Sequence, residues 1–300
     1  PKWLSENPYK RIKSETKDIP LPKNIYTSRP NSSGIDITEK QNLEVLKENL
    51  KVYETKIVNA VSLYEGRKDS KKTSEEVFSI SSGHHIGNVV FDEQAQLKKC
   101  LEKKSSNEWS NTQTEQRSKI LNKIANDIEK NPHELIYYLI NEAGKTIQNA
   151  IDEIREGVDF LRYYSNQILS LSKKVELSGP TGEENIISYS PKGRFLCISP
   201  WNFPVAILIG QISAALASGN NVMIKPSEHT SILGYLVTKR FHEAGVPVNT
   251  LELILGDGIY GEMLTKINPL HGVAFTGSLP TAKKVPVSYT HLRAHETYDH

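Results

Sequence analysis

The chain has 300 residues, 37% of them hydrophobic, and 37 Lys and Arg against 35 Asp and Glu, for a formal charge of +2. This composition predicts a soluble globular protein of one large or two ordinary domains and excludes a chain that is disordered throughout. The pI near 8.4 lies below the value of about 9 typical of dedicated nucleic-acid binders, so nucleic acid is not an expected partner.

Cysteine usage and hydropathy indicate the compartment. The two cysteines, Cys100 and Cys197, cannot form a disulfide framework, and no charged-then-apolar signal segment opens the chain. The most apolar stretch, 205–217, is shorter than the roughly 18 to 20 residues of a membrane span. We therefore expect a cytoplasmic protein. Because the first residue is Pro1, we interpret the chain as processed or as a fragment of a longer reading frame.

The first half of the chain begins with a predicted linker. Residues 1–40 are rich in Lys, Pro, Ser and Asn, which is typical of an extended linker without a fold of its own. Apolar spacings of three and four predict a helix over 41–61. Residues 77–91 predict two short strands around a turn that holds His84 and His85. No further ligands lie at a usable spacing, so we interpret this pair as solvated turn histidines rather than as a metal site.

Helical patterns dominate the next hundred residues. Residues 93–109 predict a helix, and a long helical region over 114–171 is interrupted at Asn131-Pro132, where proline can open a second helix. Steps of four and three predict one buried stripe, formed by Ile147, Ile151, Ile154, Val158 and Leu161.

Two polar features of this region have simple interpretations. We assign Arg155, Arg162 and the acids between them to a solvated helix face. Gly144-Lys145-Thr146 is similar to the end of a phosphate-binding loop, but the upstream glycine and the preceding apolar strand are missing. An ATPase is therefore disfavoured.

The second half predicts a hairpin and then a sheet. Residues 173–192 alternate about a Gly-Pro-Thr-Gly turn, and an isolated hairpin is marginal in water, so this one should pack on another surface, for example that of a second subunit. Strands and helices then alternate, with strands at 195–199, 221–224, 251–255 and 272–275 and helices at 205–217, 231–244 and 260–265. This order predicts an α/β fold with a Rossmann-like parallel sheet covered by helices on both faces.

Ligands of such sheets bind outside the carboxyl ends of the strands, and three of these ends carry polar groups. Gly277 and Ser278 lie at a strand-to-helix turn, where free backbone N–H groups favour a phosphate. Lys225 and Glu228 follow a buried strand and suit ribose hydroxyls. A carboxylate at the 2′-hydroxyl disfavours the extra phosphate of NADP, so NAD is the expected cofactor.

The third strand end suits a different role. Asn202 lies between two prolines that restrict the backbone, and its neutral amide is a suitable donor to an oxyanion. Each of these sites also has a purely structural interpretation. Asn202 and Ser278 are good helix caps, and Lys225 with Glu228 is a reasonable surface ion pair.

Taken in order, these segments resemble a known family. The resemblance to the aldehyde dehydrogenase superfamily rests on Cys197-Ile198-Ser199-Pro200-Trp201-Asn202-Phe203-Pro204, Lys225-Pro226-Ser227-Glu228 and Phe275-Thr276-Gly277-Ser278. Residues 141–146, 149–150 and 153–164 are similar to the glutamate-semialdehyde (pyrroline-5-carboxylate) dehydrogenase module of bifunctional proline-utilisation proteins. Residues 19–22 and 31–36 look like the stretch that joins the proline dehydrogenase domain of those proteins to that module. The resemblance covers roughly residues 15–285.

The resemblance implies roles for individual residues. Asn202 would stabilise the oxyanion of a thiohemiacetal. The residues that would contact NAD are Pro200 and Trp201 at the nicotinamide, Lys225 and Glu228 at the adenosine ribose, Gly277 and Ser278 at the pyrophosphate, and Gly258 near the adenine. Residues 173–192 would be the oligomerisation hairpin. The implied fold is the N-terminal part of the aldehyde dehydrogenase fold with this hairpin protruding.

The family's covalent chemistry needs groups that this chain does not contain. In the family a cysteine thiolate attacks the aldehyde, hydride passes to NAD, and a glutamate activates water to release the acid. Both groups lie in a later part of family members than this chain reaches. Cys197 sits within an apolar strand, and we interpret it as a structural thiol. Residues 286–300 do not resemble the family, and we interpret them as an unrelated tail from a join or read-through, with no metal site at its histidines.

The resulting expectation is a domain order of linker (1–40), NAD-binding part of an aldehyde dehydrogenase domain (41–285) and unrelated tail (286–300). The intact protein is predicted to oxidise L-glutamate γ-semialdehyde to L-glutamate with NAD in proline degradation. FAD is expected only if an upstream proline dehydrogenase domain exists. The alternatives are another semialdehyde dehydrogenase and a non-catalytic nucleotide-binding or dimerisation fragment. By itself the chain is expected to be inactive.

Overall fold

A computed structural model describes residues 20–68, 73–102 and 108–288. Its helices are α1 (Lys40–Lys51), α2 (Gln94–Leu101), α3 (Glu108–Asn111), α4 (Thr114–Lys130), α5 (His133–Asn141), α6 (Ile147–Leu171), α7 (Ala206–Ala217), α8 (Ser231–Ala244), α9 (Gly258–Thr265) and α10 (Leu279–Ser288). Its strands are β1 (Val58–Val61), β2 (Thr73–Phe78), β3 (His85–Phe91), β4 (Val175–Leu177), β5 (Asn185–Ile187), β6 (Arg194–Ile198), β7 (Asn221–Lys225), β8 (Leu251–Leu253) and β9 (Gly272–Phe275). Single 3₁₀ turns lie at Pro22–Asn24 and Glu228–Thr230.

The central sheet is parallel and has the order β8-β7-β6-β9. Successive side chains of a strand point to opposite faces. On one face Cys197 and Ile224 pack in the main core with α4 to α8. On the other face Leu196 and Met223 pack with residues of α2 and α9. The prediction of a parallel sheet with helices on both faces is thus confirmed.

In the helical layer α6 packs against α7. The predicted stripe on α6 lies inward, with Ile151, Ile154, Val158 and Leu161 buried. Gly157 allows the two helices to approach closely, because a Cβ at this position would lie 3.0 Å from Ile209 Cδ1. The predicted long helical region has a second interruption, since α5 ends at Asn141 and Gly144 adopts a φ of +67°.

The helix predicted over 41–61 is shorter than expected. It ends at Lys51, and Val58–Val61 forms β1, which pairs in parallel with β3 in a three-stranded sheet of order β1-β3-β2. The apolar spacing fits a helix, but Ala60 is fully buried opposite Val89, so the tertiary environment selects the strand. Leu63 then exchanges two backbone hydrogen bonds, of 2.8 and 2.7 Å, with Leu253 of β8, which joins the two sheets.

The predicted turn histidines are not solvated. His84 Nε2 lies 2.8 Å from the Tyr137 hydroxyl, and His85 opens β3 with its Nε2 2.9 Å from the Gly87 carbonyl oxygen. Both rings are half-buried. His84 thus joins the β2-β3 hairpin to α5, His85 bonds within β3, and the interpretation of the pair as solvated turn residues is wrong.

Part of the predicted linker packs on α6. Residues 25–39 contain no helix or strand, yet Ser32 is buried and donates from its backbone N and Oγ to Asp159, at 2.8 and 2.7 Å. Ile35 and Ile37 pack against the core. Residues 1–19 of the predicted linker lie outside the described residues.

Arg162 is not on a solvated face. Its guanidinium is buried and lies 2.5 Å from Glu129 Oε2 of α4. The sequence interpretation is wrong here because α4 covers this side of α6. Charged side chains are almost never fully buried unless they are paired, and Glu129 is the partner here.

The predicted hairpin forms between β4 and β5, with Val175 opposite Ile187. Its apolar side chains, Val175, Leu177, Ile186 and Ile187, are 42–51% exposed. None of the helices in the described part of the chain combines the length and apolarity needed to cross a bilayer.

Candidate functional site

The strand order creates a crevice at one edge of the central sheet. From β6 the chain proceeds to β7 and β8 on one side and then returns to β9 on the other side of β6. Such a reversal leaves a crevice outside the carboxyl ends of β6 and β9, the two strands at which the order reverses. The residues at this crevice are 199–205, after β6, and 276–278, after β9. Two of the three predicted strand ends therefore flank it, and the third follows the adjacent β7.

Asn202 is exposed at the crevice and is not a helix cap. The N-terminus of α7 has no side-chain cap from the preceding residues, and within the described residues the Asn202 amide forms no hydrogen bond. Trp201 beside it is 58% exposed. The amide is therefore available as a donor, as the oxyanion role requires.

Lys225 is buried, which excludes the interpretation as a surface ion pair. Its Nζ lies 3.6 Å from Glu228 Oε2 and donates to the Pro226 carbonyl oxygen at 3.2 Å. Burial lowers the pKa of Lys225, while Glu228 and Asp257 act in the opposite direction. An ammonium has three donors, so one N–H remains for a ligand. Glu228, which is exposed, completes a pair that can hold a ribose diol.

Gly258 lies near the same lysine. It is the first residue of α9, and a Cβ at this position would meet nothing within 4 Å. The carboxylate of Asp257 accepts from the backbone N of Ile259 at 2.9 Å and thus caps the helix. Gly261, one turn on, lies against the stem of Lys225, where a Cβ would be 3.3 Å from Cδ. Gly258 thus begins the helix that packs on Lys225, with an open surface beside it.

Gly277 and Ser278 form the turn from β9 into α10. Both are exposed, and the Ser278 carbonyl oxygen accepts the backbone N–H of Ala282 at 2.9 Å in the first turn. The Ser278 hydroxyl lies 3.0 Å from Thr281 Oγ1. Ser278 therefore begins the helix, and the position suits an anionic group as the sequence predicted.

Two further residues belong to this edge and were missed by the sequence analysis. Gln211 of α7 donates from Nε2 to the Ile198 carbonyl oxygen and to Thr276 Oγ1, each at 3.2 Å, and so joins the ends of β6 and β9. Ser199 follows β6 directly and is buried. The signal for Gln211 was present, because it interrupts the most apolar stretch of the chain.

The polar atoms at this edge fit a dinucleotide. Ser199 Oγ and Gln211 Oε1 are buried and have no hydrogen-bond partner among the described residues. Unsatisfied buried polar groups are costly, and a ligand with hydroxyl and amide groups satisfies them. Together with Lys225 and the turn at Gly277, they offer both donors and acceptors to such a ligand.

Cys197 is unsuitable as a nucleophile. It is fully buried in β6, and burial raises the pKa of its thiol to about 12. Within the described residues no three His, Cys, Asp or Glu side chains converge on a metal-sized site. The tail histidines at 291, 295 and 300 lie outside the described residues, as do residues 289–300 in general.

Comparisons of sequence identify relatives of the chain. The profile of the Aldehyde dehydrogenase family matches residues 67–294. The bifunctional protein PutA of Escherichia coli (strain K12) is 35% identical over 268 residues, which are 88% of this chain and 19% of PutA. The 1-pyrroline-5-carboxylate dehydrogenase of Oceanobacillus iheyensis is 30% identical over 278 residues, which are 86% of this chain and 52% of that enzyme. The chain thus spans about a fifth of the one relative and about half of the other.

Solved structures give the same result for the fold. A variant of proline utilization A from Bradyrhizobium japonicum superposes with a TM-score of 0.75 at 31% identity, over 93% of this chain and 26% of that one. A variant of 1-pyrroline-5-carboxylate dehydrogenase from Thermus thermophilus superposes with a TM-score of 0.81 at 27% identity, over 91% of this chain and 55% of that one. With the parallel sheet, the crevice and the profile match in agreement, the chain belongs to the aldehyde dehydrogenase family.

Proposed function

We propose that the chain is the cofactor-binding part of an enzyme that oxidises L-glutamate γ-semialdehyde to L-glutamate with NAD, in proline degradation. The observation that carries this proposal is the crevice between β6 and β9, where Asn202 and Ser278 flank the sheet beside buried Lys225. The substrate follows from the relatives, whose names are 1-pyrroline-5-carboxylate dehydrogenase and bifunctional PutA.

In this proposal the residues of the chain bind the cofactor and stabilise charge. Lys225 and Glu228 hold the adenosine ribose, beside Gly258 at the adenine. Ser278, with Gly277, holds the pyrophosphate. Pro200 and Trp201 line the nicotinamide side. When bound, NAD accepts the hydride that the substrate carbon loses.

Asn202 acts on the substrate itself. Its amide N–H donates to the aldehyde oxygen as negative charge develops there, and a fixed donor at that position lowers the barrier. Cys197 is unsuited as the nucleophile, because it is buried and has a raised pKa, and in this proposal the nucleophile and the base belong to the rest of the full-length protein. The chain alone is therefore expected to bind NAD and to form no product.

The proposal extends to the assembly. The exposed apolar side chains of the β4-β5 hairpin support contact with a second copy of the chain, since a two-stranded sheet by itself is marginal in water. A fused proline dehydrogenase domain, with its FAD, and a cytoplasmic location belong to the same hypothesis, which rests on the similarity to PutA. Replacement of Leu177 and Ile186 by Lys should lower the oligomeric state measured by sedimentation.

Cofactor binding is tested on the chain itself by calorimetric titration with NAD. Lys225→Met removes the buried ammonium, and we expect NAD to bind about 10- to 100-fold more weakly, as for a lost charge-assisted hydrogen bond. Lys239→Met is the matched control, because Lys239 also forms an ion pair at 3.6 Å, with Glu243 on the exposed face of α8. An equal loss of NAD affinity in both variants contradicts the assignment of Lys225 to the cofactor site.

The preference for NAD over NADP is tested separately. Glu228→Gln removes the carboxylate that disfavours a 2′-phosphate, so NADP affinity should rise relative to NAD affinity. The measurement is the ratio of the two dissociation constants. If the ratio is the same in wild type and variant, the adenosine ribose does not bind at Glu228.

The reaction is tested on the full-length protein that contains this chain. We expect NADH to form on addition of L-glutamate γ-semialdehyde, with smaller kcat/KM for succinate semialdehyde. A larger kcat/KM for another semialdehyde favours the alternative that the protein is a different semialdehyde dehydrogenase. NAD binding without NADH formation from any aldehyde favours a non-catalytic nucleotide-binding protein.

A further inference from the structure

The loop that carries Asn202, residues 199–205, is held by a side chain of α6, in the helical layer outside the sheet. Glu153, on α6, accepts at Oε1 from the backbone N of Val205 at 2.7 Å and of Ala206 at 3.1 Å. These N–H groups lie at the N-terminus of α7, directly after the loop, and have no acceptor within the helix itself. The Glu153 side chain is fully buried, so these bonds are shielded from water.

A lysine completes the arrangement. Lys145 Nζ lies 2.6 Å from Glu153 Oε2, and its side chain is 12% exposed. The same Nζ lies 4.1 Å from the centroid of the Phe203 ring, which is a cation–π contact. Lys145 thus contacts both the glutamate that caps α7 and the residue that follows Asn202.

Asn202 depends on this backbone support. Within the described residues its side chain has no hydrogen-bond partner, so the position of the amide depends on how firmly the backbone of the loop is held. Pro204 and Val205 are buried and fix one end of the loop, while Trp201 and Phe203 are exposed. The contacts to Phe203, Val205 and Ala206 therefore hold the backbone from which the Asn202 side chain projects.

We infer that Lys145 and Glu153 are positioning residues, which act through the backbone of 203–206 to hold the Asn202 amide against the developing oxyanion. The inference rests on the proposed function and assigns a role to the Gly-Lys-Thr segment that the cofactor site does not use. Neither residue reaches the substrate. A 1 Å misplacement of such a donor costs up to about 100-fold in rate.

The test compares two variants of the full-length enzyme. Lys145→Met removes the ion pair and the cation–π contact, and we expect kcat to fall about 10- to 100-fold while the KM values for NAD and aldehyde stay within twofold. Arg240→Met is the matched control, because Arg240 is a cation of similar exposure, 14%, that pairs with Asp127 and Glu134 away from the loop. It should keep the wild-type kcat.

A double-mutant cycle separates positioning from a general loss of structure. In an Asn202→Ala background the further change Lys145→Met should lower kcat less than twofold, because the amide that it positions is gone. Lys145→Arg, which restores the charge, should recover most of the rate in the wild-type background. A full additional loss in the Asn202→Ala background overturns the inference.

A second readout needs no activity. In the 300-residue chain, Lys145→Met should speed hydrogen exchange at the amides of Val205 and Ala206 by at least tenfold, while those of Ile232 and Leu233 keep their rates. Unchanged exchange at all four amides overturns the inference. If the wild-type full-length protein oxidises no aldehyde, the proposed function fails and the inference fails with it; an active wild type with unaffected variants overturns only the inference.

Discussion

Two helices that follow neighbouring strands of the central sheet, α7 after β6 and α8 after β7, begin with the same kind of cap in different surroundings. Glu153 accepts two backbone N–H groups at the start of α7, and Glu142 accepts those of Ile232 and Leu233 at the start of α8, at 2.8 and 2.9 Å. Both carboxyl groups are buried and both come from the helical layer outside the sheet. Each helix is thus anchored by a distant residue rather than by its own sequence.

The difference lies in the counter-charge. Glu153 has Lys145 at 2.6 Å, whereas within the described residues Glu142 forms no salt bridge. Burial raises the pKa of Glu142 to about 8, although the two backbone N–H groups act in the opposite direction. The cap next to Asn202 thus has a cationic partner, while the cap of α8 has none and its raised pKa favours the protonated carboxyl group near pH 7.

The largest expected effect comes from removing the paired cap. Glu153→Ala leaves Lys145 without its carboxylate and two helix N–H groups without an acceptor, and we expect a loss of about 3–5 kcal/mol in the free energy of unfolding. Urea unfolding of the chain measures it. The double variant Glu153→Ala, Lys145→Met should recover part of the loss. A loss below about 1 kcal/mol means that the ion pair of Glu153 with Lys145 adds little to the stability of this cap.

The unpaired cap should make stability depend on pH. Because the folded-state pKa of Glu142 is about 8 and its ordinary value is 4.5, the protonated form favours folding, and its contribution is full below pH 4.5 and lost as pH rises through 8. Between pH 6 and 7.5 the free energy of unfolding should therefore fall by about 2 kcal/mol, at about 1.4 kcal/mol for each pH unit. Urea unfolding at these two pH values measures it.

Glu142→Gln serves as the control for this pH effect, since it keeps an oxygen acceptor and cannot ionise. The difference in unfolding free energy between wild type and variant should change over the window, and the variant should be the less pH-dependent protein. If the two proteins depend on pH equally, the carboxyl group of Glu142 does not titrate in this window, which contradicts the raised pKa.

The smallest expected effect concerns α6, whose start is capped locally. Thr146 accepts at its hydroxyl from the backbone N of Asn149 at 3.2 Å, at an exposed position. Thr146→Ala should lower the free energy of unfolding by about 1 kcal/mol, as for other lost N-caps. Thermal unfolding measures it. A loss as large as that for Glu153→Ala contradicts the contrast between local and distant caps.

The sequence by itself determined much of the sheet and of the cofactor edge. Apolar runs bounded by Gly, Pro and Asn placed β6 to β9 and their helices within one or two residues of their observed bounds, because buried parallel strands leave continuous apolar segments. The polar residues after these strands, among them Asn202, Lys225 and Ser278, were found because parallel topology brings all carboxyl ends to one edge.

Only the tertiary structure decided which charged residues are buried and what they hold. Val58–Val61 has helical spacing but becomes a strand because β3 is beside it. Arg162 follows a surface pattern but is covered by α4. Glu153 meets Val205 across 52 residues, and Glu142 meets Ile232 across 90. Periodicity reports which face of an element is apolar, whereas the partner of a polar group depends on which distant backbone packs against it.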